Sequence, residues 1–260
     1  MGKSGMLMGL FLKGRLRHDL SERERRALEG TIARTVKLAP RSTLVTRGDR
    51  LENSYYLIDG VMLRHLDDKR GDRQLVEVNI AGDFVDLHGY AMKRLDHNVQ
   101  SLTNVTLAEV PHTALSQVIE DFPHLGRALW FSTLLDAAMH REWIFRLGRL
   151  NAEGRIAHLI VELVERLRFV GLYRDGGEFP VPLLQRDYAE ACGISPVHAN
   201  RSFRTLKERG LLVMAGEGKL RILDEEGLRQ LCAFDGAYLY GEGALALEGL
   251  VDRPLPRGEG

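Results

Sequence analysis

One stretch constrains this chain more than any other: residues 184–212, LQRDYAEACGISPVHANRSFRTLKERGLL. It carries start and stop signals for two short helices joined by a tight turn. The first helix is expected from Gln185 to Cys192, with Gly193 supplying the turn. Ser195 suits an N-cap that accepts from backbone N–H groups, and Pro196 suits the first helical position. The second helix runs to about Arg209 and stops at Gly210. Ala199, Phe203 and Leu206 fall four and three apart, so they form one buried stripe. The opposite face carries Val197, Arg201 and Arg204, flanked by His198 and Asn200. Such a face fits a major groove: Arg forks onto guanine, Asn onto adenine, and a small apolar group touches a thymine methyl. The candidate DNA-binding residues are Gln185, Ser195, Val197, His198, Asn200, Arg201 and Arg204.

An ordinary helical hairpin with a solvated charged face would share much of this pattern. Two features favour DNA. The unit is short and glycine-turned, as DNA-reading units are. Directly after it, residues 211–214 and 219–223 flank Gly216 and Gly218 and read as a β-hairpin. That hairpin would be a wing, with Lys219 and Arg221 near phosphates. Residues 182–213 hold five Lys/Arg against three Asp/Glu, a mildly basic balance.

Zero net charge over 260 residues does not by itself announce a nucleic-acid binder, but residues 224–260 hold eight acids and three bases that offset the basic unit. An apolar fraction of 44% and a charged fraction of 28% suit a globular chain with a proper core. The two cysteines, Cys192 and Cys232, exclude a disulfide framework and a four-cysteine iron–sulfur or zinc site within the chain. Cys192 is expected to pack between the two reading helices. No apolar run approaches the ~20 residues of a membrane span. Residues 6–12 form a short apolar patch without a cleavage site after it, so a helix or disordered leader is expected rather than a signal. Gly2-Lys3-Ser4 lacks the glycine and strand of a phosphate-binding loop.

Upstream, residues 42–110 read as short strands with glycine at the corners, which suggests a small sandwich or barrel. Residues 21–36 read as a helix before it, opened by a capping box of Ser21 and Glu24. A long helix is expected from Pro123 to Leu150. Its wide apolar face of Ala128, Phe131, Leu134, Leu135, Ala138 and Phe145 suggests packing on its own domain and on a second chain, mainly around residues 131–147. Asn151 caps the next helix, residues 153–169. Residues 171–177 read as a loop, 228–240 as another helix, and 241–260 as a loose tail.

This order resembles the Crp/Fnr family of bacterial transcription regulators. Four segments carry the resemblance: GDRLENSYYLIDG at 48–60, AGDF at 81–84, NAEGRIA at 151–157, and the reading unit. It covers roughly residues 42 to 223. The fold class it implies is α+β: an N-terminal jelly-roll-like β-roll, a long dimerisation helix and a C-terminal winged helix-turn-helix. The expected division is a leader to residue 20, a sensor at 21–122, the long helix at 123–150, a DNA-binding unit at 151–223, and a C-terminal helix and tail at 224–260. The resemblance implies a homodimer on palindromic double-stranded DNA, RNA polymerase as a partner, a cytoplasmic location, no membrane, and a signal sensed in the roll. Val197, Asn200 and Arg201 match its usual base-contacting positions. Its usual capping Thr at the first reading helix is replaced here by Leu184.

The sensor departs from cyclic-nucleotide binders of that family. The expected Gly-Glu-Leu is replaced by Asp86-Leu87-His88, so the ribose carboxylate is lost to Leu87 and a like charge, Asp86, meets the phosphate. Arg94 is the basic candidate and lacks the neighbouring hydroxyl. A cyclic-nucleotide-responsive regulator is thus one alternative. A second is a haem sensor, with His65, His88, His97 or His112 as ligand, none of which stands out. A third is a cupin-type enzyme, for which His88 and His97 are present but the HxH…E set is missing. The cofactor stays unassigned, no metal set is read, and no enzyme is expected.

Overall fold

A computed structural model describes residues 6–15, 20–176, 178–215 and 218–241. Ser21 caps α1 (Glu22–Glu29) as the capping box predicts: its Oγ accepts from Glu24 N–H and the Glu24 carboxylate accepts from Ser21 N–H. The helix stops at Gly30, well short of residue 36. Thr35 and Val36 instead sit in β1 (Arg34–Leu38), because β-branched side chains lose χ1 freedom in a helix and suit a paired strand.

The roll continues with β2 (Thr43–Val45), β3 (Asn53–Asp59), β4 (Val61–Asp67), β5 (Arg73–Ile80), the short α2 (Gly89–Met92), β6 (Asn98–Ser101) and β7 (Val105–Pro111). These form two antiparallel sheets, ordered β1-β7-β3 and β2-β6-β4-β5. Leu57, Met62, Val85, Val99 and Leu107 fill the space between them. Gly60 turns β3 into β4 at φ +95°, and a Cβ there would overlap Asn104 O.

Two helices follow, α3 (His112–Asp121) and α4 (Pro123–Arg149). The long helix divides its apolar residues between two directions. Ala128, Leu135, Ala138, Met139 and Trp143 are buried in the chain itself, while Trp130, Leu134, Ile144 and Phe145 are 63%, 48%, 71% and 51% exposed. Leu135, read from the sequence as part of one wide face, thus belongs to the core. Phe131 is half-buried, with its ring edge-on to Tyr240 at 5.8 Å.

Asn151 Oδ1 accepts from Gly154 N–H and starts α5 (Ala152–Val170). This helix is buried on nearly every side. It lies in one apolar cluster with Val61, Leu63 and Val78 of the roll and with Tyr188, Phe203 and Leu220 of the C-terminal unit. That unit comprises β8 (Glu178–Phe179), α6 (Gln185–Cys192), α7 (Pro196–Glu208), β9 (Leu212–Ala215), β10 (Lys219–Ile222) and α8 (Glu225–Cys232). The helix expected at 228–240 is broken: Ala233 adopts φ 47° after α8, and a 3-10 turn (Gly236–Leu239) follows. The expected tail beyond Gly241, residues 1–5 and 16–19 of the leader, and the tip of the wing lie outside the described residues. Residues 6–15 form neither the expected helix nor a disordered leader but a run of turns that buries Met8, Phe11 and Leu12 in one cluster with Phe84.

Candidate nucleic-acid interface and sensor cavity

Helices α6 and α7 form the expected pair, with Gly193 at φ 59° between them. Ser195 Oγ accepts from His198 N–H at 3.2 Å and caps α7, which Pro196 opens. Ala199, Ser202, Phe203 and Leu206 are buried, and Phe203 meets Tyr188 of α6 edge-on at 5.0 Å. Cys192 packs here too, and burial pushes its thiol up to about 11, so it is an inert core group.

Packing that stripe inward turns Val197, His198, Asn200, Arg201 and Arg204 outward, all exposed. Gln185 is half-buried at the head of α6, where its Oε1 accepts from Asn200 Nδ2 at 3.1 Å. That bond pre-orients Asn200. Thr205 lies beside Arg201 on the same exposed face; its neutral side chain gave no signal in a reading led by charge. In the wing, β10 pairs with β9 and with β8. Lys219 and Arg221 are exposed and border an open groove, with Arg221 opposite Glu178 across the strand pair. Wing residues 216 and 217 lie outside the described set.

Leu184 has no capping oxygen. Its backbone N–H donates instead to Asp187 Oδ2 at 2.9 Å, so the start of α6 is fixed from within the helix. Asp187 is fully buried and also accepts from Arg41 at 2.7 and 2.8 Å. Arg73 on β5 reaches Glu190 at 2.7 Å and Asp187 at 3.5 Å. These ion pairs join the roll directly to the first reading helix. On the other side, Arg146 of α4 donates to Ala191 O and Arg155 of α5 to Cys192 O, both at 3.0 Å. Cations at the C-terminus of α6 oppose its negative dipole end. None of these arginines gives a sequence signal, because their partners lie between 37 and 146 residues away.

In the roll, Asp86 is fully buried and accepts from Tyr55 N–H at 2.6 Å, and burial pushes its carboxyl up to about 7. Leu87 lies in an apolar cluster with Phe84, Leu115 and Leu129. Arg94 bonds outward to Gly48 O at 2.6 Å. A different arginine, Arg64, is the cation inside the roll. It donates to Val85 O and Phe84 O and pairs with Glu77 and with Asp136 of α4. Beside it is a cavity of about 400 Å³ lined by His88, Asp96, His97, Thr133 and His140. Of the four histidines weighed as haem ligands, His88 and His97 line this cavity. His65 pairs instead with Asp67 and His112 with Ser54.

Two family models match the chain: a cyclic nucleotide-binding domain over residues 35–122 and a Crp-like helix-turn-helix domain over residues 154–231. The chain belongs to the Crp/Fnr family of transcription regulators. It is 26% identical over 195 residues to the transcriptional activator protein FnrL of Cereibacter sphaeroides, covering 71% of this chain and 77% of that one. It is 24% identical over 212 residues to the fumarate and nitrate reduction regulatory protein of Escherichia coli, covering 82% and 84%. Among solved structures, FixK2 of Bradyrhizobium japonicum superposes with a TM-score of 0.70 at 18% identity, covering 77% of this chain and 97% of that one. Crp/Fnr members are regulators rather than enzymes, which sets aside the cupin-type alternative. No helix among the described residues is long and apolar enough to cross a membrane.

Proposed function

We propose that this Crp/Fnr protein is a cytoplasmic homodimer that reads an inverted DNA repeat with α7 and does not take a cyclic nucleotide as its effector. The observation that carries the reading is the outward face of α7. Val197, Asn200 and Arg201 stand exposed near the N-terminus of a capped, core-anchored helix, the end that reaches base edges in helix-turn-helix proteins. Ser195, His198, Arg204, Lys219 and Arg221 flank it as backbone contacts, and Gln185 holds Asn200 in place. The exposed apolar stripe on α4 supports the dimer, since contiguous apolar surface of this kind marks an association face. Buried Leu87, which offers no carboxylate to a ribose hydroxyl, and Asp86, buried with its Oδ1 on Tyr55 N–H, oppose a nucleotide in the roll. By family analogy RNA polymerase is the downstream partner.

Selection of bound fragments from a random DNA pool, with the protein as purified, tests the reading. An inverted repeat with half-sites about one helical turn apart is the expected product. A pool without enrichment, or a single asymmetric site, would overturn it. Calorimetry with cyclic AMP should show no binding, and a micromolar dissociation constant would reinstate the nucleotide-responsive alternative.

A further inference from the structure

The cavity beside Arg64 lies between the segment 88–97 of the roll and the middle of α4. His88 and His97 face each other there with ring centroids 5.1 Å apart. One donor atom from each of His88, Asp96 and His97 lies within 4.8 Å of the other two. His97 is only 7% exposed. Its Nδ1 is 2.8 Å from Asp96 Oδ1, and its Nε2 is buried without a hydrogen-bond partner among the described residues. When Nδ1–H donates to the carboxylate, Nε2 presents a bare lone pair, the orientation that metal-bound imidazoles take.

We propose that His88 and His97 bind a late first-row divalent metal ion of the zinc type, with Asp96 orienting His97 and offsetting the ion's charge. A pair of imidazoles, one of them held by a carboxylate behind it, suits zinc, nickel or cobalt and does not suit magnesium or calcium, which prefer all-oxygen shells. Donors in such a site stand about 2.0–2.2 Å from the ion. His88 stands at the head of the four-residue α2, and Asp96 and His97 precede β6, so all three donors lie outside the strands. Arg64 is the nearby cation, and its charge is already matched by Glu77 and Asp136. The open side of the ion would face His140 and Thr133 on α4. An ion here would therefore place an inorganic input against the helix proposed to join two chains. That last link rests on the dimer reading; metal binding does not.

The test is titration of the full chain, stripped of metal, with Co²⁺ followed by its visible d–d absorption, and with Zn²⁺ in competition. One ion per chain is expected, at micromolar affinity or tighter. His88→Gln should abolish it, and Asp96→Asn should weaken it about 10- to 100-fold. Asp96 is largely exposed, so its variant keeps the test open if a change at His97 disturbs folding. His198→Gln, on the exposed face of α7, should bind as the parent does. An absence of stoichiometric binding would overturn the proposal. So would His88→Gln and Asp96→Asn variants that bind like the parent.

Discussion

Arg201 and Lys219 are both exposed cations, yet the proposed docking gives them different work. Arg201 sits one turn beyond Val197 on α7, so Arg201→Ala should cost about 1–3 kcal/mol on the best site and relax preference at one base position per half-site. Lys219 sits on the wing, so its loss should weaken all sequences alike and lower the salt slope by about one. Binding to matched and point-mutated sites at several salt concentrations separates the two. Equal weakening of every sequence by Arg201→Ala would make that residue a phosphate contact. His158 of α5 has a different role. Burial pushes its pKa down to about 4, against the pull of Glu162, and Glu142 stands 3.3 Å from its Nε2. The unfolded chain takes up this proton first, so as pH falls from about 6.5 toward 4 the folded state loses stability. His158→Gln should flatten that acid limb by about 2 kcal/mol, read as urea unfolding at pH 7 and 4.5.

Among the elements, α4 shows what a sequence pattern resolves and what it leaves merged. Its length and its apolar surplus were legible, because both follow from periodicity alone. The division of that surplus was not, because Leu134 and Leu135 look alike until the fold sets Leu135 against its own core. The dimer test therefore belongs to the outer stripe. Leu134→Asp with Ile144→Asp should give a folded monomer in sedimentation, since both side chains are exposed. A wild-type monomer at micromolar concentration would remove the dimer. The reading helices were legible because caps and turn residues are local signals. β1 was missed because its pairing with β7 is a contact across some seventy residues, whereas Ser21 and Glu24 advertise a helix at once. The cavity trio was hidden for a similar reason. Asp96 and His97 are neighbours in the chain, and only the return of the loop after α2 brings His88 to them.

For the whole molecule, the joint between roll and reader is polar at one face and apolar at another. Asp187 sits at the polar face, buried between Arg41 and the start of α6. Asp187→Ala removes the carboxylate and leaves two guanidinium groups and the Leu184 N–H without it. It should destabilise the chain by about 3 kcal/mol, seen as a lower urea midpoint. Glu190→Gln, in a pair whose side chains are 18% and 24% exposed, removes one charge and keeps an acceptor oxygen, so it should cost less than that. An equal effect of the two changes would show that the buried carboxylate has no special part in the joint.

Arg146 and Arg155 hold the carbonyl end of α6 from the helices behind it. In a dimer built on α4, the two reading heads then behave as the jaws of a calliper locked at one gap. An operator with a base pair added between its half-sites would then have to bend or untwist to fit. Discrimination by spacing would then be written in DNA stiffness, at base pairs that no side chain touches.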